Sequence, residues 1–136
     1  MTLVFLGEVE EQRVGEVERA LDGCSGGAPR GIDVRLAGAG RFVSRRSSAL
    51  WVGVAGDLDA LHTLRDDVGA ALRRAGLPGD ERPFRPHLTI AYTRRGSTPA
   101  ALDSYVGPAW TVDEFVLVRS RHDEGGGYDS LQRWSC

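Results

Sequence analysis

The sequence predicts an α+β fold made largely of antiparallel sheet. Strand-like segments outnumber helical ones, hairpin-length connections join some of them, and the helical stripes fall between strands rather than in one block. The expected order is strand, helix, strand, strand, helix, strand, helix, strand, strand.

Residues 2–6 are rich in β-formers and stop at Gly7, which predicts an opening strand. Val14, Val17, Leu21 and Cys24 then recur at helical spacing, and Gly23 with Gly26-Gly27 ends the run. From Gly31 to Ala37, Ile32, Val34 and Leu36 alternate with Asp33 and Arg35, the pattern of a half-buried strand. Gly38 to Ser48 reads as a glycine, serine and arginine loop carrying Phe42. Leu50 to Val54 is apolar on both faces and is expected at the centre of a sheet. Asp57 is a good N-cap for the clearest helix, whose stripe runs through Leu58, Leu61, Leu64, Val68, Leu72 and Ala75. Arg73 and Arg74 sit at the negative end of its dipole, and Gly76 and Pro78 terminate it. Pro78 to Pro86 is a loop, and Pro86 forces an extended entry into a strand over 87–92. A short helix is expected from Pro99 to Val106. Trp110 to Ser120 and Tyr128 to Trp134 read as two strands joined over Gly125-Gly126-Gly127.

At 136 residues the chain is sized for one domain with one core. Its 41% hydrophobic and 26% charged residues match a globular protein, and a net charge of −2 argues against nucleic-acid binding by bulk charge alone. All 17 cations are arginine, and neither lysine nor asparagine occurs, which a GC-rich coding bias explains. Cys24 and Cys136 form no CxxC pair and read as free thiols of a reducing cytoplasm. No apolar run reaches the length of a membrane span, and the N-terminal run lacks the basic region of a signal peptide.

The most specific stretch is Phe84-Arg85-Pro86-His87-Leu88-Thr89-Ile90-Ala91. In a strand, residues two apart point the same way about 6.6 Å from each other. His87 and Thr89 therefore present an imidazole and a hydroxyl together, with Leu88 and Ile90 turned toward the core. The pair suits a phosphoryl group: the hydroxyl donates to a non-bridging oxygen while the imidazole moves a proton at a bridging oxygen or a water. An arbitrary H-x-T would more simply be a strand histidine bonded to a neighbouring carbonyl.

The segment resembles the second H-x-T motif of the two-histidine phosphoesterases, and within them is most similar to the bacterial RNA 2′,3′-cyclic phosphodiesterases, also called 2′-5′ RNA ligases. Thr2-Leu3-Val4-Phe5-Leu6-Gly7-Glu8-Val9 resembles the stretch that completes the family's first motif. Leu117-Val118-Arg119-Ser120, Gly127-Tyr128 and Arg133-Trp134 resemble its final hairpin. The resemblance implies a single domain over 1–136: bilobed, a pseudo-two-fold pair of mainly antiparallel sheets, helices on the outer faces and a central cleft. It also implies metal-independent hydrolysis of RNA 2′,3′-cyclic phosphate ends to 2′-phosphomonoesters, with no cofactor. His87 then inherits the role of general base, and Thr89 and Thr2 hold phosphate oxygens; the first-motif histidine protonates the departing ribose oxygen.

Aligning Thr2 with the first-motif threonine places that histidine, and the family's leading strand and helix, before Met1. A late-assigned start codon and a truncated paralogue both account for this, and the motif's integrity up to the cut favours the former. Residues 1–136 alone are then expected to hydrolyse cyclic phosphates poorly, and the upstream segment to restore activity. Tyr92 stands where the family often has arginine; strict alternation puts it on the face of Leu88 and Ile90, leaving packing and substrate contact both open.

Arg85, Phe42 and Ser120 are the candidate substrate-binding residues. Arg85 suits an RNA phosphate or a carboxylate, and Ser120 a cleft wall or a strand cap. Phe42, beside Arg45 and Arg46, suits stacking of a base, although loop arginines are commonly just solvated. His62 reads as a solvated helix flank, His122 as a hairpin-loop residue able to overhang a cleft, and Trp51, Trp110 and Trp134 as packing. Expected partners are RNA ends or small cyclic-phosphate nucleotides, with no membrane, no metal and a monomeric state. Alternative readings are a non-catalytic RNA-end binding module, a phosphodiesterase for a small cyclic-phosphate nucleotide, and an α+β domain whose H-x-T is accidental.

Overall fold

The helix that the sequence specifies best is also the best capped. The Asp57 carboxylate accepts a hydrogen bond from the Ala60 N–H at 3.1 Å and opens α2, Leu58–Arg74. At its other end Gly76 takes a left-handed φ of 65°, and its N–H bonds the Arg73 carbonyl while the Leu77 N–H reaches back to Leu72 at 3.0 Å. That six-to-one closure satisfies the last carbonyls and tucks Leu77 into the core. The computed structural model describes residues 1–24, 31–44, 47–80, 82–93, 99–102, 104–121 and 126–136.

The first helix, α1, Val14–Asp22, follows a 3-10 turn at Glu11–Arg13. Four strands, β1 (Ile32–Val43), β2 (Ser48–Gly56), β3 (His87–Thr93) and β4 (Val106–Val112), form an antiparallel sheet in the order β3-β2-β1-β4. The expected centrality of 50–54 holds, because β2 has a bonded neighbour on each side. A second, two-stranded sheet joins β5 (Glu114–Ser120) to β6 (Tyr128–Ser135). One core unites these layers: Val17 and Leu21 of α1, Leu61 and Leu64 of α2, Ile32 of β1 and Phe115 of β5 are all buried in it. Trp134 stacks on Phe115 with ring centroids 5.1 Å apart, and its indole N–H donates to Asp22 at 2.8 Å, tying the second sheet to α1.

The α+β class stands, with two antiparallel sheets of unequal size. Four local expectations do not. Residues 2–6 are not a strand: no ladder partner meets them among the described residues, and Leu3, Val4 and Leu6 pack against the core from an irregular segment. The strand expected to stop at Ala37 runs to Val43, because an extra residue bulges out between Leu36 and Ala39 and the ladder with β2 then resumes. Phe42 is consequently a strand residue rather than a loop residue. The single strand expected over 110–120 is two, broken at Asp113, with β4 in the first sheet and β5 in the second. The short helix expected over 99–106 shrinks to a 3-10 turn at Ala100–Leu102.

Candidate active site

Strand β2 has no bulge of its own, so it defines the faces of the four-stranded sheet. Ser48, Leu50, Val52 and Val54 are all buried on the core face; Ala49, Trp51 and Gly53 lie on the other. Register pairs Gly53 with His87 and Trp51 with Thr89. His87 and Thr89 therefore share the outer face, as their spacing predicts, and Leu88, opposite Val52, packs toward the core. Ile90 does not follow it. Between Leu50 and Trp51 the ladder slips by one residue, Ile90 is the extra one, and it is 52% exposed. Beyond this bulge the parity reverses: Tyr92 pairs with Ala49 on the histidine's face, not with Leu88 on the core face as alternation predicts.

The imidazole of His87 is held in one tautomer. Its Nδ1 lies 2.6 Å from the carbonyl oxygen of Arg85. A carbonyl only accepts, so Nδ1 carries a hydrogen, and in the neutral ring it is Nε2 that holds the lone pair. Nε2 has no hydrogen-bond partner among the described residues. The ring is also wedged laterally: Phe42 meets it edge-on with centroids 4.9 Å apart, and Trp51 lies 6.1 Å away. Phe42 and Trp51 are themselves 5.3 Å apart. Trp51 can lie so low over β1 because Gly40 is opposite it; a Cβ at Gly40 would stand 2.7 Å from Cη2 and 2.9 Å from Cε2 of the indole. Gly53, opposite His87, likewise has no room for a Cβ, which would meet the Ala37 carbonyl oxygen at 2.7 Å.

A basic nitrogen, a neighbouring hydroxyl and an aromatic wall form an arrangement able to take a proton from a water while a phosphoryl oxygen is held. No cluster of three His, Cys, Asp or Glu side chains suited to a metal ion occurs among the described residues. Among the described residues no helix is long and apolar enough to cross a membrane.

A family model described as the 2′-5′ RNA ligase superfamily matches residues 1–124. The chain belongs to that superfamily. It is 33% identical to an RNA 2′,3′-cyclic phosphodiesterase of Geobacillus stearothermophilus, over 96% of this chain and 43% of that protein. A protein of the same description from Escherichia coli is 31% identical over 99% of this chain and 74% of its own length. The chain thus spans less than half of the Geobacillus relative and about three quarters of the Escherichia coli one. Among solved structures, Escherichia coli LigT complexed with 3′-AMP superposes with a TM-score of 0.73 at 26% identity, covering 98% of this chain and 74% of LigT. A Thermus thermophilus protein gives 0.74 at 26% identity, covering 98% and 75%. The family resemblance drawn from the H-x-T segment and the α+β class are both those of the 2′-5′ RNA ligase superfamily.

The remaining candidates are spread out. The Arg85 side chain is exposed and without an ion-pair partner among the described residues, and its backbone carbonyl is what touches His87. Thr2 is exposed in the irregular N-terminal segment and has no hydrogen bond to the His87 group. Ser120 is exposed at the end of β5 opposite Tyr128, in the other sheet. His62 is an exposed helix flank whose ring rests edge-on against Phe84 at 5.2 Å. Arg45, Arg46 and His122 lie outside the described residues. Sequence reading assigned Trp51 to packing alone and missed its contact with His87. Only the pairing of Trp51 with Thr89 could have shown that, and one strand's periodicity does not contain it.

Proposed function

We propose that this chain supplies the general-base half of a phosphodiesterase site for RNA-type 2′,3′-cyclic phosphate ends. The observation that carries the reading is the His87 tautomer: Nδ1–H spent on the Arg85 carbonyl, Nε2 basic and unpaired, Thr89 beside it on the same face. The names of the Geobacillus and Escherichia coli relatives support the substrate class.

In the proposed reaction Nε2 accepts a proton from a water as that water's oxygen attacks phosphorus. The Thr89 hydroxyl donates to a non-bridging oxygen and Thr2 is the second such donor. The bond from phosphorus to the ribose 3′ oxygen breaks on the opposite side. That oxygen leaves with a proton from an acid there, the role the family gives its first-motif histidine, and a 2′-phosphomonoester remains. Attack and departure in line avoid a free alkoxide. Phe42, Arg85 and Ser120 are the proposed substrate contacts, RNA ends or small nucleotides the partners, a monomer the working unit and the cytoplasm its place.

The test is hydrolysis of adenosine 2′,3′-cyclic phosphate followed by separation of the 2′ and 3′ products. His87→Ala should lower turnover about 10²–10⁴-fold without moving the unfolding midpoint. Undiminished turnover in the variant overturns the reading. Tight binding of the cyclic phosphate without turnover, in a chain that also carries the upstream acid, would mark a binding module instead.

A further inference from the structure

Beyond the histidine, the same face carries two exposed aromatic side chains with a gap between them. Phe42 pairs with Ala49 and Ala49 pairs with Tyr92, so all three stand in one row across β1, β2 and β3. Tyr92 is 76% exposed and Phe42 37%. Two inter-strand spacings separate their backbones, about 9.6 Å, and no ring contact closes the gap among the described residues. The floor between them is the methyl group of Ala49. A flat heteroaromatic ring sandwiched between two others needs about 7 Å from wall to wall, less than the roughly 9.6 Å between the two backbones, and the Phe42 ring keeps its contacts with Trp51 and His87 on its other side. Ile90, exposed by its own bulge, extends the apolar rim.

We propose that Phe42 and Tyr92 clamp the nucleobase of the terminal nucleotide, with Ala49 as the floor of the slot. The proposal rests on the phosphodiesterase reading above and adds to it the group that positions the substrate. With phosphorus held at Thr89 and His87, the base of a nucleoside 2′-phosphate lies one ribose ring away, and the slot opens immediately beside Thr89 along β3. Stacking accepts any of the four bases, because each has a π-face. Stacking on Tyr92 is not an ion pair, so the base's contribution to affinity should depend little on salt.

Binding tests the clamp independently of turnover. Adenosine 2′-phosphate and the base-free methyl ribofuranoside 2-phosphate are titrated calorimetrically into the whole chain, unmodified and as Tyr92→Ala, Tyr92→Phe and Ala49→Leu. The nucleotide should bind about tenfold or more tightly than the base-free ester, on the scale of one stacked base. Tyr92→Ala and Ala49→Leu, the first removing a wall and the second filling the floor, should each abolish most of that ratio, and Tyr92→Phe should keep it. Equal affinities for the two ligands in the unmodified chain overturn the clamp, as does a ratio that survives both Tyr92→Ala and Ala49→Leu. A failed hydrolysis assay overturns the hydrolase reading alone, and a missing base preference overturns the clamp alone.

Discussion

Gly40→Ala should be costly at a strand position where alanine is ordinarily the better residue. Gly40 has no left-handed backbone, so an alanine there meets no conformational penalty and would by itself gain about 0.5–1 kcal/mol. Against this stands the indole of Trp51, whose Cη2 and Cε2 would lie 2.7 Å and 2.9 Å from the new methyl. Ordinary carbon contacts are about 3.5–4.0 Å, so the ring has to lift by close to 1 Å. It cannot lift freely, because Phe42 and His87 lie against it at 5.3 Å and 6.1 Å. Overpacking of this kind costs about 1–3 kcal/mol, which for a chain of this length lowers Tm by roughly 6 °C at 2 kcal/mol. A double-mutant cycle isolates the cause. Gly40→Ala is placed in the native chain and in Trp51→Val, and each is unfolded by denaturant with near-ultraviolet circular dichroism as a second probe. The substitution should destabilise the native chain and be neutral or stabilising in Trp51→Val, a coupling of about 2 kcal/mol. Turnover should fall with it, by as much as about 10²-fold if the imidazole shifts by 1 Å. Equal effects of Gly40→Ala in the two backgrounds would refute the steric account.

Asp80 is held to a pKa of about 2 by hydrogen bonds from the Arg82 side chain and backbone N–H. Its unfolded value is about 3.9, so its contribution is fully present above pH 4 and lost as pH falls toward 2. Asp80→Asn should cost under about 1 kcal/mol at neutral pH, and its difference from the native chain should vanish across that acid window in denaturant titrations. Burial pushes the thiols of Cys24 and Cys136 up, with Asp67 adding to the shift at Cys24 and Asp113 at Cys136. Both should therefore react with a disulfide reagent at pH 7.5 only as fast as the protein opens, and full, rapid labelling under native conditions would contradict their burial. Gly76→Ala leaves the space around it empty but places a side chain at a left-handed φ, and should cost about 1 kcal/mol by denaturant unfolding.

What the sequence made legible was whatever depended on neighbours within one element. The α2 helix was readable from Asp57, its stripe and Gly76 because capping and periodicity are local. His87 and Thr89 on one strand face were readable for the same reason. Tyr92 was misplaced because alternation assumes an unbroken ladder, and the slip at Ile90 depends on how β3 meets β2. Residues 110–120 looked like one strand because membership of a sheet is decided by partners far along the chain, not by β-propensity. Residues 2–6 have the composition of a strand, yet strand formation needs a partner backbone, and none of the described residues provides one. The role of Trp51 was hidden likewise, since it arises from a residue across the ladder on β3 and from the missing side chain at Gly40.

The extra residue at Ile90 is one that β3 can lose without turning its other side chains over. Deleting that one codon would close the ladder with Ala91 still opposite Leu50 and Tyr92 still opposite Ala49, so both faces of β3 would keep their side chains while the strand lost its irregularity. Descendants of such a gene could shed or regain this residue and keep the same ligand-facing side chains, a change in length that point-substitution surveys of the catalytic motif would never sample.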